Sequence, residues 1–260
     1  MINIISDMDG VIYRGNNLIP GAKEFIYNLL ENNIPFIFLT NNAEQTPIDL
    51  QRKLQSLGVD GLKPEHFFTA AQATAIFLHT QKEKGTAYVI GTGGLVSELY
   101  NVGYSIDENN PDYVVVGKTT AFNYDMLKKA VSLINKGARF IGANPDITDP
   151  APNGELIPAV GPILSAIETA TGKKPYIVGK PNPVMMSIAK NKISAHSADT
   201  VMIGDRMDTD ILGGLGAGMK TCLVLSGVTT QEMLKEFPYR PNFVFNSVAD
   251  IDLERLEKIN

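Results

Sequence analysis

The chain has 260 residues, a formal net charge of −5, one cysteine and 44% apolar residues. This is enough to bury a real core in one large domain or two modest ones. The acidic balance offers no field for a polyanion and argues against nucleic acid, and the lone Cys222 excludes an internal disulfide, as in a reducing compartment.

Short apolar runs alternate with helical patterns along the chain. Ile2–Ser6 reads as a strand ending in a polar turn. Ala22–Glu31 carries Phe25, Ile26, Leu29 and Leu30 at helical spacing, after Pro20-Gly21. Pro35–Leu39 is a second apolar run. Thr46-Pro47 opens a helix, with Thr46 as cap and Pro47 at the first helical position, running to about Gly58. Ala70–Leu78 is helical. After a Lys/Gly-rich break at Gln81–Gly85 the alternation resumes. Strands are expected at Ala87–Ile90, Tyr113–Val116, Arg139–Gly142 and Tyr176–Val178. Helices are expected at Leu95–Asn101, Asn123–Lys136 and Ala159–Thr171. The C-terminal part adds a helix at Met185–Asn191, a strand at Thr200–Ile203 and a helix at Asp208–Ala217. A strand at Thr221–Leu225 follows, and the tail holds Gln231–Glu236, Phe243–Phe245 and Ala249–Lys258. Alternation of this kind predicts an α/β fold around a mainly parallel sheet.

In open sheets of this class, ligands bind beyond the carboxyl ends of the strands. Asp7 and Asp9 follow the first strand, and Thr40, Asn41 and Asn42 the second. Lys180 follows Tyr176–Val178, and Asp205 follows Thr200–Ile203. Four polar clusters at strand tips point to one crevice.

Each cluster has a chemical reading and a plainer one. Asp7-Met8-Asp9-Gly10 places two carboxylates on alternate residues, and Gly10 lets the backbone turn close to a ligand. A carboxylate and a phosphate dianion repel, so a divalent cation between them is expected, with Asp7 as nucleophile and Asp9 as general acid and base. The same pair would also serve as turn aspartates. Thr40, Asn41 and Asn42 offer neutral donors for phosphate oxygens, or an ordinary polar turn. Lys180, between Gly179 and Pro181, would neutralise phosphate and Asp7, or would be a solvated loop lysine. Asp205 is placed to ligate Mg²⁺, and Asp210 to hold a metal-bound water or orient its neighbours. Asp208 reads mainly as a helix N-cap.

Other features carry less. Gly117-Lys118-Thr119 lacks the earlier glycine of a phosphate-binding loop, since that position is Asp112. Gly91-Thr92-Gly93-Gly94 lacks dinucleotide spacing because residue 96 is Val. His66, His79 and His196 lie far apart, so zinc is not expected. Cys222 reads as a buried small hydrophobe. No stretch approaches a membrane span, and the N-terminus has no signal-like core, so a cytoplasmic protein without membrane association is expected.

Taken in order, Asp7-Met8-Asp9-Gly10-Val11, Leu39-Thr40-Asn41, Lys180 and Gly204-Asp205-Arg206 with Thr209-Asp210 resemble the four motifs of the haloacid-dehalogenase-like hydrolases. Gly179-Lys180-Pro181 and Gly204–Ile211 resemble the NagD-like subfamily, which includes nitrophenyl-phosphatase and ribonucleotide-monophosphatase types. The similarity covers nearly the whole chain, and the catalytic set is unbroken. It implies a Rossmann-like parallel-sheet core from residues 1–79 and 179–260, with an inserted α/β cap from residues 80–178. It implies a phosphatase for small phosphate monoesters, such as nucleoside monophosphates, sugar phosphates or nitrophenyl phosphate, working through an aspartyl-phosphate with Mg²⁺. Asp7 would be nucleophile and metal ligand. Asp9 would be acid and base and ligate metal through its main-chain carbonyl. Gly10, Thr40, Asn41, Asn42 and Lys180 would line the phosphate, with Asp205 and Asp210 at the metal. Asn144 and Asp146 are candidates for the leaving group, although an Asn-Pro-Asp turn explains them as well. The rival reading is a receiver-like phosphoacceptor domain without turnover. Substrate identity and oligomeric state are not legible.

Overall fold

The computed structural model describes residues 2–150 and 155–257. The described residues fall into two compact units. One comprises Met1–Thr40, Pro47–Phe68 and Lys180–Asn260, the other Asn41–Thr46 and Thr69–Gly179. The second unit thus includes a six-residue segment from between Thr40 and Pro47, and it starts at Thr69 where the sequence reading drew a boundary at 80.

The first unit is built on a six-stranded sheet. Its spatial order is Phe243–Phe245, Lys220–Val224, Thr200–Gly204, Asn3–Ser6, Phe36–Thr40 and Phe67–Thr69. Numbered along the chain, this is the doubly wound order 3-2-1-4-5-6. The four neighbouring pairs from Phe243–Phe245 to Phe36–Thr40 are parallel. Parallel strands buried on both faces need continuous apolar sequence, and Ile4, Ile5, Ile37, Phe38, Leu39, Val201, Met202 and Ile203 are all fully buried. Against Ile4, Phe38, Val201 and Ile203 pack Phe25, Ile26 and Leu29 of the helix Ala22–Glu31, and Leu50 and Leu54 of the helix Pro47–Ser56. Each such side chain contributes about 1.5–3 kcal/mol by leaving water. Cys222 sits in this core, and burial pushes its thiol up to about 12.

The second unit has a five-stranded parallel sheet in the order Tyr176–Ile177, Arg139–Gly142, Tyr113–Val116, Thr86–Ile90 and Ser105–Ile106. Along the chain this is 2-1-3-4-5, the other common doubly wound order. Tyr88, Ile90, Val114, Val116 and Phe140 pack against Leu133 and Ile134 of the helix Tyr124–Asn135, and against Ile163, Leu164 and Ile167 of the helix Val160–Thr171. Asp112 ties the amino ends of its strands together. Its carboxylate accepts from Lys82 Nζ at 2.7 and 2.8 Å, Thr86 N at 3.0 Å and Thr86 Oγ1 at 3.2 Å, and its carbonyl accepts from Arg139 N at 2.9 Å.

Asn41–Thr46 is held at the carboxyl ends of this second sheet. Asn42 Oδ1 accepts from the amides of Glu44 (2.7 Å) and Gln45 (2.9 Å), closing a tight turn. Lys118 pairs with Glu44 at 3.2 Å and with Asp149 at 2.8 Å. A Cβ on Gly94 would lie 2.3 Å from the Glu44 carbonyl oxygen, so only glycine permits that approach. The Gly-rich turn and the Gly117-Lys118 turn are therefore occupied by the chain itself.

Several short elements have no clear sequence signal. These are the hairpins Tyr13–Arg14 with Asn17–Leu18 and Thr148–Pro150 with Leu156–Pro158, and the strands Phe67–Thr69 and Ser105–Ile106. The helix expected at 208–217 is instead a π-type turn, Met207–Ile211, followed by a short helix, Leu212–Gly216. Asp208 does not cap it. Its carboxylate is engaged by the Arg206 guanidinium at 2.9 and 3.1 Å, because the residue lies inside the turn rather than before it. Among the described residues, no helix is long and apolar enough to cross a membrane.

Candidate active site

The order of the first sheet reverses between Asn3–Ser6 and Thr200–Gly204, which is where a doubly wound sheet opens its crevice. Asp7 leaves the first of these strands and Asp205 the second. The Asp7 amide still donates to the Ile203 carbonyl at 2.8 Å, so strand pairing itself carries Asp7 to the crevice. Asp7, Asp205 and Asp210 each present a carboxylate oxygen within 4.8 Å of the others, and all three are buried. Lys180 Nζ lies 2.7 Å from Asp7 Oδ1 and 2.7 Å from Asp210 Oδ1, and it also donates to the Leu39 carbonyl at 3.2 Å. The second oxygen of Asp210 accepts from the Arg206 amide at 3.1 Å. Buried Thr40 ends the strand beside Asn3–Ser6.

Three buried carboxylates against one ammonium leave two negative charges in excess. The titration tendencies express this. Burial pushes the Asp7 carboxyl up, opposed by Lys180. Burial, then the charges of Asp210 and Asp7, push Asp205 well above the usual carboxylate range. Asp210 is pushed up to about 6 by burial, with Lys180 opposing. Burial alone would lower Lys180, but Asp210 and Asp7 outweigh it and hold it protonated. A divalent cation fits this charge deficit. It also fits a specific atom. Asp205 Oδ2 accepts from Val228 N at 2.6 Å, whereas Oδ1 is buried and accepts no hydrogen bond. Carboxylate oxygens alone form the donor set of a hard cation.

Gly10 adopts φ +77°, and a Cβ there would stand 2.5 Å from Asp205 Oδ2, so the turn after Asp9 closes onto Asp205 only as glycine. Asp9 itself is exposed. Ser226 Oγ donates to the Gly10 carbonyl at 2.7 Å, and Thr229 N donates to the Asp205 carbonyl at 3.1 Å. The Ser226–Thr229 loop was missed in the sequence, although it follows the strand Lys220–Val224 and obeys the same strand-tip rule. Tyr13 and Lys53 were missed as well. Burial, then the nearby charge of Asp9, pushes the Tyr13 phenol well up, and Lys53 Nζ stands 3.5 Å from the centre of the Tyr13 ring.

The remaining candidates lie in the second unit, hydrogen-bonded to each other. Asn41 Nδ2 donates to Asp146 Oδ1 at 3.2 Å, and Asn144 Nδ2 donates to the Asn41 carbonyl at 2.6 Å. Asn144 Oδ1 accepts from the Asp146 amide at 3.1 Å. Asn42 makes the local turn described above.

Known proteins resemble the chain over nearly its whole length. A family model for haloacid dehalogenase-like hydrolases matches residues 4–105, and a second, HAD-hydrolase-like, matches residues 177–251. The chain is 47% identical to dihydroxyacetone phosphatase of Corynebacterium glutamicum (strain R), over 96% of this chain and 90% of that protein. It is 43% identical to ribonucleotide monophosphatase NagD of Escherichia coli (strain K12), over 96% of this chain and 98% of that one. The solved structure of NagD from E. coli K-12 superposes with a TM-score of 0.91, covering 97% of this chain and 98% of that chain. The chain therefore belongs to the haloacid dehalogenase-like hydrolase family, among its NagD-like phosphatases.

Proposed function

We propose that the chain hydrolyses small phosphate monoesters through a phosphorylated Asp7, with Mg²⁺ as its metal. The observation that carries this is Lys180 held 2.7 Å from both Asp7 and Asp210, in a cluster whose Asp205 Oδ1 accepts no hydrogen bond. Asp7 and Asp205 would hold the ion, with the Asp9 carbonyl, and Asp210 would stand behind them. When bound, the cation supplies the positive charge that lets a carboxylate approach a phosphate dianion.

An Asp7 carboxylate oxygen attacks phosphorus while the ester P–O bond breaks. Asp9 gives its proton to the departing alcohol oxygen. Asp9 then takes a proton from water, whose oxygen attacks phosphorus. The bond to Asp7 breaks, and inorganic phosphate leaves. Lys180 keeps a positive charge at the phosphoryl group throughout, and Gly10 and Thr40 line it. Asn41, Asn42, Asn144 and Asp146 form a polar set for phosphate and leaving group. A receiver-like module has no use for a leaving-group acid such as Asp9.

Relatives are named dihydroxyacetone phosphatase, ribonucleotide monophosphatase and acid sugar phosphatase. Sugar phosphates and nucleoside monophosphates are therefore the proposed substrates. The buried single thiol and a metabolite substrate fit a cytoplasmic setting. A panel of phosphorylated metabolites with Mg²⁺, ranked by kcat/KM, tests the reading. Repeated turnover of one of these classes is expected, and none above background across the panel would overturn it.

A further inference from the structure

Asp205 leaves the strand Thr200–Gly204 with its main chain and its carboxylate both held by one short loop. That loop, Ser226–Thr229, follows the neighbouring strand Lys220–Val224. Val228 N donates to Asp205 Oδ2 at 2.6 Å, and Thr229 N donates to the Asp205 carbonyl at 3.1 Å. The same carboxylate packs on two glycines. A Cβ on Gly227 would lie 1.9 Å from Oδ2, and one on Gly10 would lie 2.5 Å from it. Oδ2 is therefore committed to the protein, and Oδ1 is the oxygen left to offer.

The loop is itself anchored at both ends by side chains. At its start, Ser226 Oγ donates to the Gly10 carbonyl at 2.7 Å, and the Arg14 guanidinium donates to the Ser226 carbonyl. At its end, Thr229 is only 2% exposed, and its Oγ1 accepts from Met207 N at 3.3 Å. Met207 opens the turn Met207–Ile211, which carries Asp210. The two hydroxyls thus tie the loop that grips Asp205 to the turn after Asp9 and to the turn bearing Asp210.

We infer that Ser226 and Thr229 are positioning residues that lock Asp205 as a one-oxygen ligand and so favour a small cation over a large one. This rests on the proposed metal role of Asp205. Mg²⁺ demands rigid geometry, whereas Ca²⁺ takes about six to eight oxygens and accepts both oxygens of one carboxylate. A carboxylate released from the loop would serve the larger ion as well as before and the smaller one less well.

The test measures Mg²⁺ and Ca²⁺ affinity by calorimetry on the metal-free full chain without substrate. It compares wild type, Thr229→Val, Thr229→Ser, Ser226→Ala and Asp205→Asn, with a thermal melt of each. Thr229→Val keeps the shape and removes the acceptor. Its Mg²⁺ Kd is expected to rise about tenfold while its Ca²⁺ Kd stays within about twofold. Thr229→Ser is expected to restore the wild-type ratio. Should Thr229→Val not fold, Ser226→Ala carries the same comparison at about threefold. Equal weakening of both ions, or no change in either, would overturn the inference, because a purely structural role lowers the melting temperature without moving the ratio of affinities. Asp205→Asn is expected to lose Mg²⁺ binding. Wild-type Mg²⁺ affinity in that variant would overturn the metal role of Asp205 and the inference together.

Discussion

Lys180 and Asp7 form an ion pair 2.7 Å long, with side chains only 3% and 10% exposed. It joins residues far apart in the chain, and the same ammonium also holds Asp210. Removing it would leave three buried acids facing one another. Lys180→Met should therefore destabilise the protein by about 3–5 kcal/mol in metal-free buffer. It should also cut kcat/KM at least about a hundredfold. Urea titration and steady-state kinetics check both.

Asp7→Asn should behave differently. It removes the attacking oxygen but relieves charge crowding in the cluster, since burial already disfavours the ionised form of Asp7. Activity should fall at least about a thousandfold. The melting temperature should hold or rise slightly. Substantial turnover by this variant would remove Asp7 as nucleophile.

The excess of negative charge predicts tight coupling between metal and stability. EDTA should abolish turnover, and Mg²⁺ at a hundredfold excess over its Kd should stabilise the fold by about 2.7 kcal/mol. Asp205→Asn should lose most of that gain, because Asp205 Oδ1 has no other task. Melts with and without Mg²⁺, in the absence of substrate, separate binding from catalysis.

Asp112 supplies a pH test in the second unit. Its carboxyl is held below the usual range, chiefly by the hydrogen bond from Lys82, against partial burial. A carboxylate lowered on folding contributes stability above its unfolded pKa and loses it as pH falls through the folded value. Asp112→Asn should cost about 1–2 kcal/mol near neutral pH, at the low end in high salt because Lys82 is half exposed. The difference between wild type and variant should close below about pH 4.

Gly94→Ala tests the seat of the Asn41–Thr46 segment. The new methyl would meet the Glu44 carbonyl, and either that segment or the helix Gly93–Asn101 must shift. A loss of about 1–3 kcal/mol is expected. An unchanged melting temperature would show that the segment yields freely.

The core strands were legible because parallel strands buried on both faces are unbroken apolar runs, as in Phe36–Leu39 and Thr200–Ile203. Their tips could then be located without knowing how the strands pair. What the sequence concealed lay in short or backward-reaching elements. Tyr13 and Asn17 belong to strands of two residues each, too short for any periodicity. Asp208 carries every mark of a cap, yet Arg206 two residues earlier claims it. Asn41–Thr46 reads as a simple turn into a helix. Its membership of the second unit depends on Lys118 and Gly94, which lie far along the chain.

The strand Asn3–Ser6 is flanked by Phe36–Thr40 on one side and by Thr200–Gly204 on the other. The first flank is translated almost at once. At typical ribosomal speeds the second follows about 10–40 s later. During that interval Asp7 has been made but lacks Lys180, Asp205 and Asp210. Chemistry on phosphate is thereby withheld from any polypeptide that stops short of Asp210, because such a chain lacks part of the acid–lysine cluster.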